Sequence, residues 1–211
     1  ATLADVAFPG HAETVMDADL SADGALLLTG SNDDTARLWD AATGALLRTL
    51  TGHGGDVNAV AVANDGATLA TASDDDAARL WDAATGALLR TLTGHTANVL
   101  LVAFSPDGGR VASGGQDTFV RVYAVATGAL VFPLDLPGAP WAVEYAPNGQ
   151  ELMGGYGSTL SFRNPSSGAE VRSFAGSGVT SAAYSPDGQR VGGGGSGGAS
   201  IRSAQTGALV H

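Results

Sequence analysis

The chain has 211 residues, 44% of them hydrophobic, which is enough to bury the core of one or two domains. Its 21 acidic residues against 10 arginines give a formal net charge of −11, which argues against a nucleic-acid partner because phosphate backbones would be repelled. It contains no cysteine, no apolar run of the roughly 18 residues that a membrane helix needs and no recognisable export signal, which excludes disulfides, a thiolate zinc site and a membrane span and favours a cytoplasmic location.

The dominant feature of the sequence is an internal repeat. Residues 33–53 return at 75–95 with 20 of 21 positions identical, Thr35 alone being replaced by Ala77. A turn dipeptide, Thr-Gly or Ser-Gly, recurs with its glycines at 44, 86, 128, 168 and 207, so the spacing is 42, 42, 40 and 39 residues. Units of this length cannot bury both faces alone, and their recurrence predicts an array of packed copies.

Each unit is predicted to contain four short strands, described here for the second copy. An apolar run at 57–63 predicts a strand covered on both faces, and the Asp-Gly turn after it leads into a second strand at 67–73. The third strand is expected at 77–82, with Arg79 facing out between apolar neighbours, and the fourth at 87–92. Four strands in about 40 residues are typical of a propeller blade, so the predicted fold class is all-β.

Two further dipeptides mark the units. Gly-His stands at 10–11, 52–53 and 94–95, and Trp-Asp stands at 39–40 and 81–82. In the third unit Tyr123 takes the tryptophan position. On these residues the sequence resembles the WD-repeat family of β-propellers. In the last two units Arg163 and Arg202 stand at the tryptophan position and the histidine is missing, so the resemblance there rests on spacing and a looser packing is expected.

The resemblance implies a single β-propeller domain of four-stranded blades over residues 1–211. The five repeat units lie roughly at 11–50, 53–92, 95–134, 137–174 and 177–211. Residues 1–8 resemble a fourth strand and are a candidate ring-closing strand, because this family usually closes its ring with strands from both chain ends. Two alternatives stay open: a five-bladed ring, or part of a larger propeller, since seven blades are usual in the family.

A histidine, a hydroxyl, an aspartate and an aromatic residue recur at fixed spacing in the first three units. The sets are His11, Thr29, Asp33 and Trp39, then His53, Thr71, Asp75 and Trp81, then His95, Ser113, Asp117 and Tyr123. By chemistry alone, each set resembles the hydroxyl–histidine–carboxylate triad of a hydrolase. The family resemblance instead implies a buried structural chain of hydrogen bonds. Three copies also argue against catalysis, which needs one site, so no catalytic residue is predicted.

Two other motifs suggest chemistry but have simpler interpretations. The acidic turns 31–34 and 73–76 resemble calcium loops, yet they lack the glycine and the later bidentate glutamate that an EF-hand loop requires. The glycine run 192–198 looks like a flexible linker, but in register it falls on the second strand of the fifth unit and favours a degenerate blade. Neither motif predicts a metal or a cofactor.

The resemblance implies a non-catalytic scaffold that binds a protein or peptide on one face of the propeller. Two positions beside the start of each first strand, and a third before the aspartate of each set, are expected on this face. The predicted face residues are Thr14, Met16, Asn32, Asp56, Asn58, Asp74, Asn98, Leu100, Gln116, Trp141, Tyr156 and Thr180. Carboxylates mixed with aromatic side chains are suited to anchor such an interface.

The charge distribution narrows the expected partner. Residues 1–105 hold 14 acids and only 4 arginines, which favours a protein or peptide with a basic segment, and the chain is expected to act as a subunit or domain of a larger assembly. The alternative is a glycosidase-like or carbohydrate-binding propeller. A glycosidase needs two carboxylates facing each other, whereas most acids here fall in turns or in the repeated sets, so no enzyme is predicted.

Overall fold

The computed structural model describes residue 8 and residues 10–175, 179–195 and 198–210. Within these residues every regular element is a β-strand, and the strands form five antiparallel sheets, four of four strands and one of three. The predicted all-β class, with four-stranded propeller blades, is confirmed. Among the same residues there is no helix whose length and apolar character would let it cross a membrane.

The strands of each sheet are consecutive in the chain, and each sheet is called a blade below. Blade 1 contains β1 (Val15–Leu20), β2 (Leu26–Ser31), β3 (Ala36–Asp40) and β4 (Leu46–Leu50). Blade 2 contains β5 (Val57–Val62), β6 (Thr68–Ser73), β7 (Ala78–Asp82) and β8 (Leu88–Leu92). Blade 3 contains β9 (Val99–Phe104), β10 (Arg110–Gly115), β11 (Phe119–Ala124) and β12 (Leu130–Asp135).

The remaining two blades differ in strand number. Blade 4 contains β13 (Pro140–Tyr145), β14 (Leu152–Tyr156), β15 (Thr159–Arg163) and β16 (Glu170–Ala175). Blade 5 contains β17 (Val179–Tyr184), β18 (Arg190–Gly195) and β19 (Gly198–Ser203). The chain divides into two compact units, residues 1–102 and 103–211, and each is described by itself.

The turn after each first strand follows from its Asp-Gly dipeptide, or Asn-Gly in blade 4. In blade 2 the N–H of Gly66 donates to the carbonyl of Ala63 (2.8 Å), and the φ of Gly66 is 67°, a left-handed value that favours glycine. The carboxylate of Asp65 accepts the N–H of Ala67 (2.9 Å), which ties the turn to the start of the next strand. The register of β5 on β6 then follows from this tight connection.

The core of the first unit lies between blades 1 and 2. Strand β5 is buried along almost its whole length, as its uniformly apolar sequence predicts for a strand covered on both faces. The cluster comprises Leu28, Ala36, Leu38, Leu50, Val57, Val60, Val62, Leu69, Trp81 and Ala83. These residues come from both sheets, so neither blade buries its apolar face without the other.

Carboxylates of one blade hydrogen-bond the backbone of the next. Asp17 accepts the N–H of Val60 (2.9 Å), and Asp19 accepts the N–H of Val62 (2.8 Å). In the second unit Glu144 accepts the N–H of Tyr184 in the same manner (3.1 Å). Burial raises the pKa of Asp19 and of Glu144, although these backbone bonds oppose the shift. The first strands of blades 2 and 5 are thereby joined to the preceding blade by polar as well as apolar contacts.

The second unit is built on a different core at blades 4 and 5. Met153, Leu160, Phe162, Val191 and Ala204 are buried together there. The glycine run continues β18 up to residue 195, and β18 pairs along its length with β19, as expected for a degenerate blade. After β19 the described residues, up to 210, add an isolated bridge between Arg202 and Leu209.

The candidate ring-closing strand at 1–8 lies outside the described residues, except for Phe8. The ring of Phe8 packs edge-on against Trp39, with centroids 5.9 Å apart.

Candidate functional site

Hydrogen bonds join the four side chains of the first repeated set. The indole N–H of Trp39 donates to the hydroxyl oxygen of Thr29 (2.9 Å), which lies 2.8 Å from Nε2 of His11. Nδ1 of the same imidazole lies 2.9 Å from Asp33. Since the carboxylate of Asp33 can only accept, the histidine proton is assigned to Nδ1, which donates to it, and Nε2 accepts the hydroxyl proton of Thr29. This series of hydrogen bonds runs from the buried indole of Trp39 to the turn that carries Asp33.

The second set repeats this geometry in blade 2. Trp81 donates to Thr71 (2.9 Å), and the two ring nitrogens of His53 lie 2.6 Å from Thr71 and 3.1 Å from Asp75. Burial, followed by the positive charge of Arg79, lowers the pKa of His53, so the imidazole stays neutral at pH 7. Burial also opposes ionisation of Asp75, but hydrogen bonds from Arg79, the Gly54 N–H and His53 outweigh it and lower its pKa to about 2.

These shifts predict acid destabilisation in two steps. Because the pKa of His53 in the folded chain lies below its ordinary value of 6.5, the unfolded chain takes up that proton first, so the free energy of unfolding falls as the pH drops below 6.5. The lowered pKa of Asp75 adds a second loss as the pH falls from 3.8 toward about 2. Denaturant unfolding across this pH range measures both steps. His53→Gln should remove the first and reduce the second only in part, because Arg79 and the Gly54 N–H still bond Asp75. An unchanged slope below pH 6.5 in that variant would contradict the assignment.

An arginine four residues after each aspartate belongs to these sets, and the sequence interpretation missed its role. Arg79 was expected to face out, but its side chain is only 14% exposed and lies 2.5 Å from Asp75. Arg121 pairs with Asp117 at 2.7 Å, and Arg37 lies 3.7 Å from Asp33. The cause is the left-handed turn after each aspartate, where Asp34, Asp76 and Thr118 have φ of 61°, 62° and 69°. The repeated spacing of aspartate to arginine was the available signal.

The members of the third set are also in the interior. Ser113 and Tyr123 are fully buried and hydrogen-bonded to each other, and burial raises the pKa of the tyrosine. His95 is buried as well, at 7% exposure.

The fourth blade has different chemistry at the corresponding positions. Arg163, at the tryptophan position, donates through Nε to the hydroxyl of Ser161 (2.7 Å) and pairs with Glu170 (2.9 Å). Phe162, the neighbouring residue on the other face of β15, is fully buried instead. The blade therefore has an ion pair on the face where blades 1 and 2 have the indole–histidine hydrogen bonds, and it carries its largest fully buried side chain, Phe162, on the opposite face.

The predicted face residues fall into two groups by exposure. Thr14, Met16, Gln116 and Thr180 are exposed, whereas Asn32, Asp56, Asn58, Asp74, Asn98, Leu100, Trp141 and Tyr156 are half-buried. Several of them meet. The amide of Asn58 donates to Asp74 (2.6 Å) and to the carbonyl of Val99 (3.0 Å), and the N–H of Asp74 donates to the carbonyl of Asp56 (2.9 Å). In blade 1 the N–H of Asn32 donates to the carbonyl of Thr14 (3.0 Å).

Trp141 is held by its own blade. Its indole N–H donates to the carbonyl of Gly157 (3.1 Å), and its ring lies over Gly155, where an added Cβ would come within 2.6 Å of the ring. The same ring packs against the buried cluster around Met153. Packing therefore covers part of the Trp141 ring, and the rest of the ring is exposed to solvent near the start of β13.

Comparison with known proteins identifies the repeat. A family model described as WD domain, G-beta repeat matches residues 5–40, 44–82 and 86–124, which together make up more than half of the chain. The matched stretches include every member of the three repeated sets.

Curated relatives match over short segments. WD repeat-containing protein 18 of Bos taurus is 46% identical over 52 residues, and the Homo sapiens protein of that name is 42% identical over 52 residues, in each case 25% of this chain and 12% of the relative. Small ribosomal subunit protein RACK1 of Saccharomyces cerevisiae is 57% identical over 37 residues, 18% of this chain and 12% of that protein. The three consecutive matched repeats, carried on antiparallel four-stranded blades, show that the chain belongs to the WD-repeat family.

Proposed function

We propose that this chain is a non-catalytic scaffold that binds a protein or peptide, as a subunit or domain of a larger cytoplasmic assembly. The observation that carries the proposal is the acidic group at one end of blade 2, where Asp56, Asn58 and Asp74 lie together at the start of β5 and the end of β6. Both carboxylates are partly open to solvent. Such a surface is suited to recognise a basic segment through charge and hydrogen bonds.

The charges of the first unit support a basic partner. Residues 1–102 hold 14 acids against 4 arginines. Two of these arginines, Arg37 and Arg79, are already engaged by Asp33 and Asp75. A third, Arg48, donates through Nε to the carbonyl of Ala84 (3.0 Å). It lies at the opposite end of the strands from Asp56 and Asp74, so it does not offset their charge. The negative potential is therefore largely uncompensated, which should accelerate association with a positively charged segment.

The burial of the repeated hydroxyls supports a structural role for the sets. Thr29 is 6% exposed and Thr71 is fully buried, and each is hydrogen-bonded to both a tryptophan and a histidine. A nucleophile must reach its substrate, whereas these hydroxyls are enclosed on the strand that bears them. We therefore propose that the sets stabilise the blades and that binding is carried by the face residues.

The proposal predicts selective binding of a basic peptide. A short arginine-rich peptide should bind at low salt, and Asp56→Asn and Asp74→Asn should each weaken it about three- to tenfold, as expected for loss of one partly exposed charge. Calorimetric titration of the intact chain measures the affinity. A peptide of the same length with glutamate in place of arginine should not bind.

A matched variant separates this surface from general acidity. Asp65→Asn also removes one carboxylate, at the Asp-Gly turn at the other end of the blade 2 strands. The affinity of this variant for the arginine-rich peptide should stay within about twofold of that of the unsubstituted chain, because exposed charges more than about 10 Å apart are screened. Equal losses in Asp65→Asn and Asp74→Asn would show that the peptide reads net charge alone and would contradict a defined face.

A further inference from the structure

A cavity of about 490 Å³ lies in the second unit between blades 3 and 4. Its walls are the turn of blade 3 at 105–109 with Arg110, the turn of blade 4 at 147–150 with Tyr145, and the turn at 165–166. These turns are at the opposite end of the strands from Trp141 and Tyr156, since Tyr145 ends β13 and Trp141 lies near its start. The cavity is thus separate from the proposed partner face.

One residue that lines the cavity, Tyr145, has a buried hydroxyl without a partner among the described residues. Tyr145 is only 5% exposed, and among the described residues its hydroxyl oxygen has no hydrogen-bond partner. Burial strongly raises the pKa of this phenol, so the hydroxyl is neutral and can act as a donor. Buried polar groups are normally hydrogen-bonded, so the unpaired hydroxyl of a residue that lines the cavity points to a missing acceptor.

The next pair of blades shows what the acceptor is at the equivalent position. Tyr184 ends the first strand of blade 5 as Tyr145 ends that of blade 4. Its hydroxyl lies 3.5 Å from the carboxylate of Glu151, and Arg172 pairs with the same carboxylate through both terminal nitrogens, one at 2.5 Å. The Nε of Arg172 donates to the carbonyl of Ala204 (2.8 Å). A phenol, a carboxylate and a guanidinium therefore form a connected group between blades 4 and 5.

Between blades 3 and 4 the carboxylate of this group is missing. Arg110 takes the position of Glu151, since each lies two residues after its turn glycine, and Phe132 takes the position of Arg172. Arg110 nevertheless donates through Nη1 to the carbonyl of Pro165, which corresponds to Ala204, and to the Ser166 hydroxyl at 3.2 Å. The guanidinium and the phenol are retained, with no glutamate between them.

The acid on the cavity wall does not supply this carboxylate. Asp107 accepts the hydroxyl of Ser105 (2.5 Å) and the N–H of Gly109 (3.0 Å), and these bonds lower its pKa. Asp187 makes the same two kinds of bond in the turn of blade 5. Asp107 is therefore part of the turn.

We propose that the cavity binds a carboxylate group of a ligand, held by the guanidinium of Arg110 and the hydroxyl of Tyr145 in the place that Glu151 occupies between the next two blades. Charge-assisted bonds from a guanidinium are the strongest single interaction available to such a group. The cavity volume lies within the range of small-molecule sites, and it also accommodates an acidic side chain of a partner protein. The shared chemistry is the carboxylate, and two probes distinguish its source.

The first test titrates the intact chain with acetate and with an uncharged-ended peptide containing one glutamate, each followed by nuclear magnetic resonance of the Arg110 side chain. Sodium chloride and the matching glutamine peptide are the controls for ionic strength and for peptide contacts. Binding of acetate and the glutamate peptide would support a general carboxylate site, and binding of the glutamate peptide alone would assign the site to a protein side chain. If neither carboxylate perturbs Arg110 beyond its control, the proposal is overturned.

Variants test the two residues separately. Arg110→Gln should abolish detectable binding, and Tyr145→Phe should weaken it about tenfold, the effect of losing one hydrogen bond to a charged group. Tyr145→Phe should leave the denaturation midpoint unchanged or higher, because it removes an unpaired buried hydroxyl. Tyr184→Phe is the matched control, since it should lower the midpoint and leave carboxylate binding intact. Undiminished binding in Tyr145→Phe would contradict the assigned site.

Discussion

Replacing Trp81 with alanine is expected to lower the free energy of unfolding by about 3–5 kcal/mol, the range for deletion of a large aromatic side chain from a core. Trp81 is 2% exposed and belongs to the cluster shared by blades 1 and 2. The truncation would leave a cavity between two sheets. It would also remove the indole donor of Thr71, the hydroxyl that bonds His53. The two losses act on the same strand, so both should appear in one unfolding transition.

Two variants separate packing from hydrogen bonding at Trp81. Trp81→Phe retains most of the apolar contact but loses the N–H, and its cost should be about 1–2 kcal/mol. Trp141→Ala is the half-buried comparison, and it should cost less than Trp81→Ala because part of that ring is already in solvent. Guanidinium unfolding followed by circular dichroism measures all three. Equal losses of unfolding free energy in Trp81→Ala and Trp141→Ala would show that the full burial of Trp81 and its bond to Thr71 add nothing to stability.

Replacing Phe162 with alanine is expected to have a comparable effect in the second unit, again about 3–5 kcal/mol. Phe162 is fully buried, and its ring centroid lies 5.1 Å from Phe174 and 6.2 Å from Tyr184. The guanidinium of Arg172 stacks over the same ring at 4.5 Å. Truncation would therefore remove aromatic packing between blades 4 and 5 and a cation–π contact at the same time.

The control for Phe162 is a half-buried phenylalanine of the same unit. Phe119 also carries an arginine over its ring, Arg121 at 4.6 Å, but part of its surface is in solvent. Phe119→Ala should cost less than half as much as Phe162→Ala, since less apolar area is lost. The same denaturant measurement applies, with hydrogen exchange of β17 and β18 reporting whether the loss is local. A smaller loss in Phe162→Ala than in Phe119→Ala would show that blades 4 and 5 do not depend on this cluster.

Most structural features that recur from blade to blade could be predicted from the sequence. Turn positions, and strand number in the first four blades, followed from the period, because each turn dipeptide has a local conformational cause. The fourth strand predicted for the fifth unit is reduced, among the described residues, to an isolated bridge. The fixed spacing of His53, Thr71, Asp75 and Trp81 also singled out side chains that are hydrogen-bonded to one another. The prediction for Arg79, which also pairs with Asp75, was wrong. Alternation along β7 suggested that Arg79 faces solvent, whereas the left-handed turn at Asp76 brings its guanidinium back to the carboxylate.

What does not repeat could not be predicted from the period. The missing histidine in the fourth unit suggested a looser blade, but Phe162 and Arg172 supply contacts on the opposite face that no repeat motif marks. The unpaired hydroxyl of Tyr145 is recognisable only when the acceptor of Tyr184 is known in three dimensions. In both cases the signal is a contact between blades some 40 residues apart, where the register of each sheet decides which side chains meet.

The carboxylates of Asp17, Asp19 and Glu144 bear on the mode of recognition. Each occupies a backbone N–H at the free edge of the next first strand, the edge at which an incoming peptide would add as another strand. A ligand that approached this edge would have to displace a partly buried side-chain acceptor before its backbone could pair. Backbone-directed strand addition, which tolerates many sequences, is therefore disfavoured at β5 and β17. At these two edges we therefore expect the proposed partner to be recognised through its side chains, because the backbone N–H groups are already bonded within the fold.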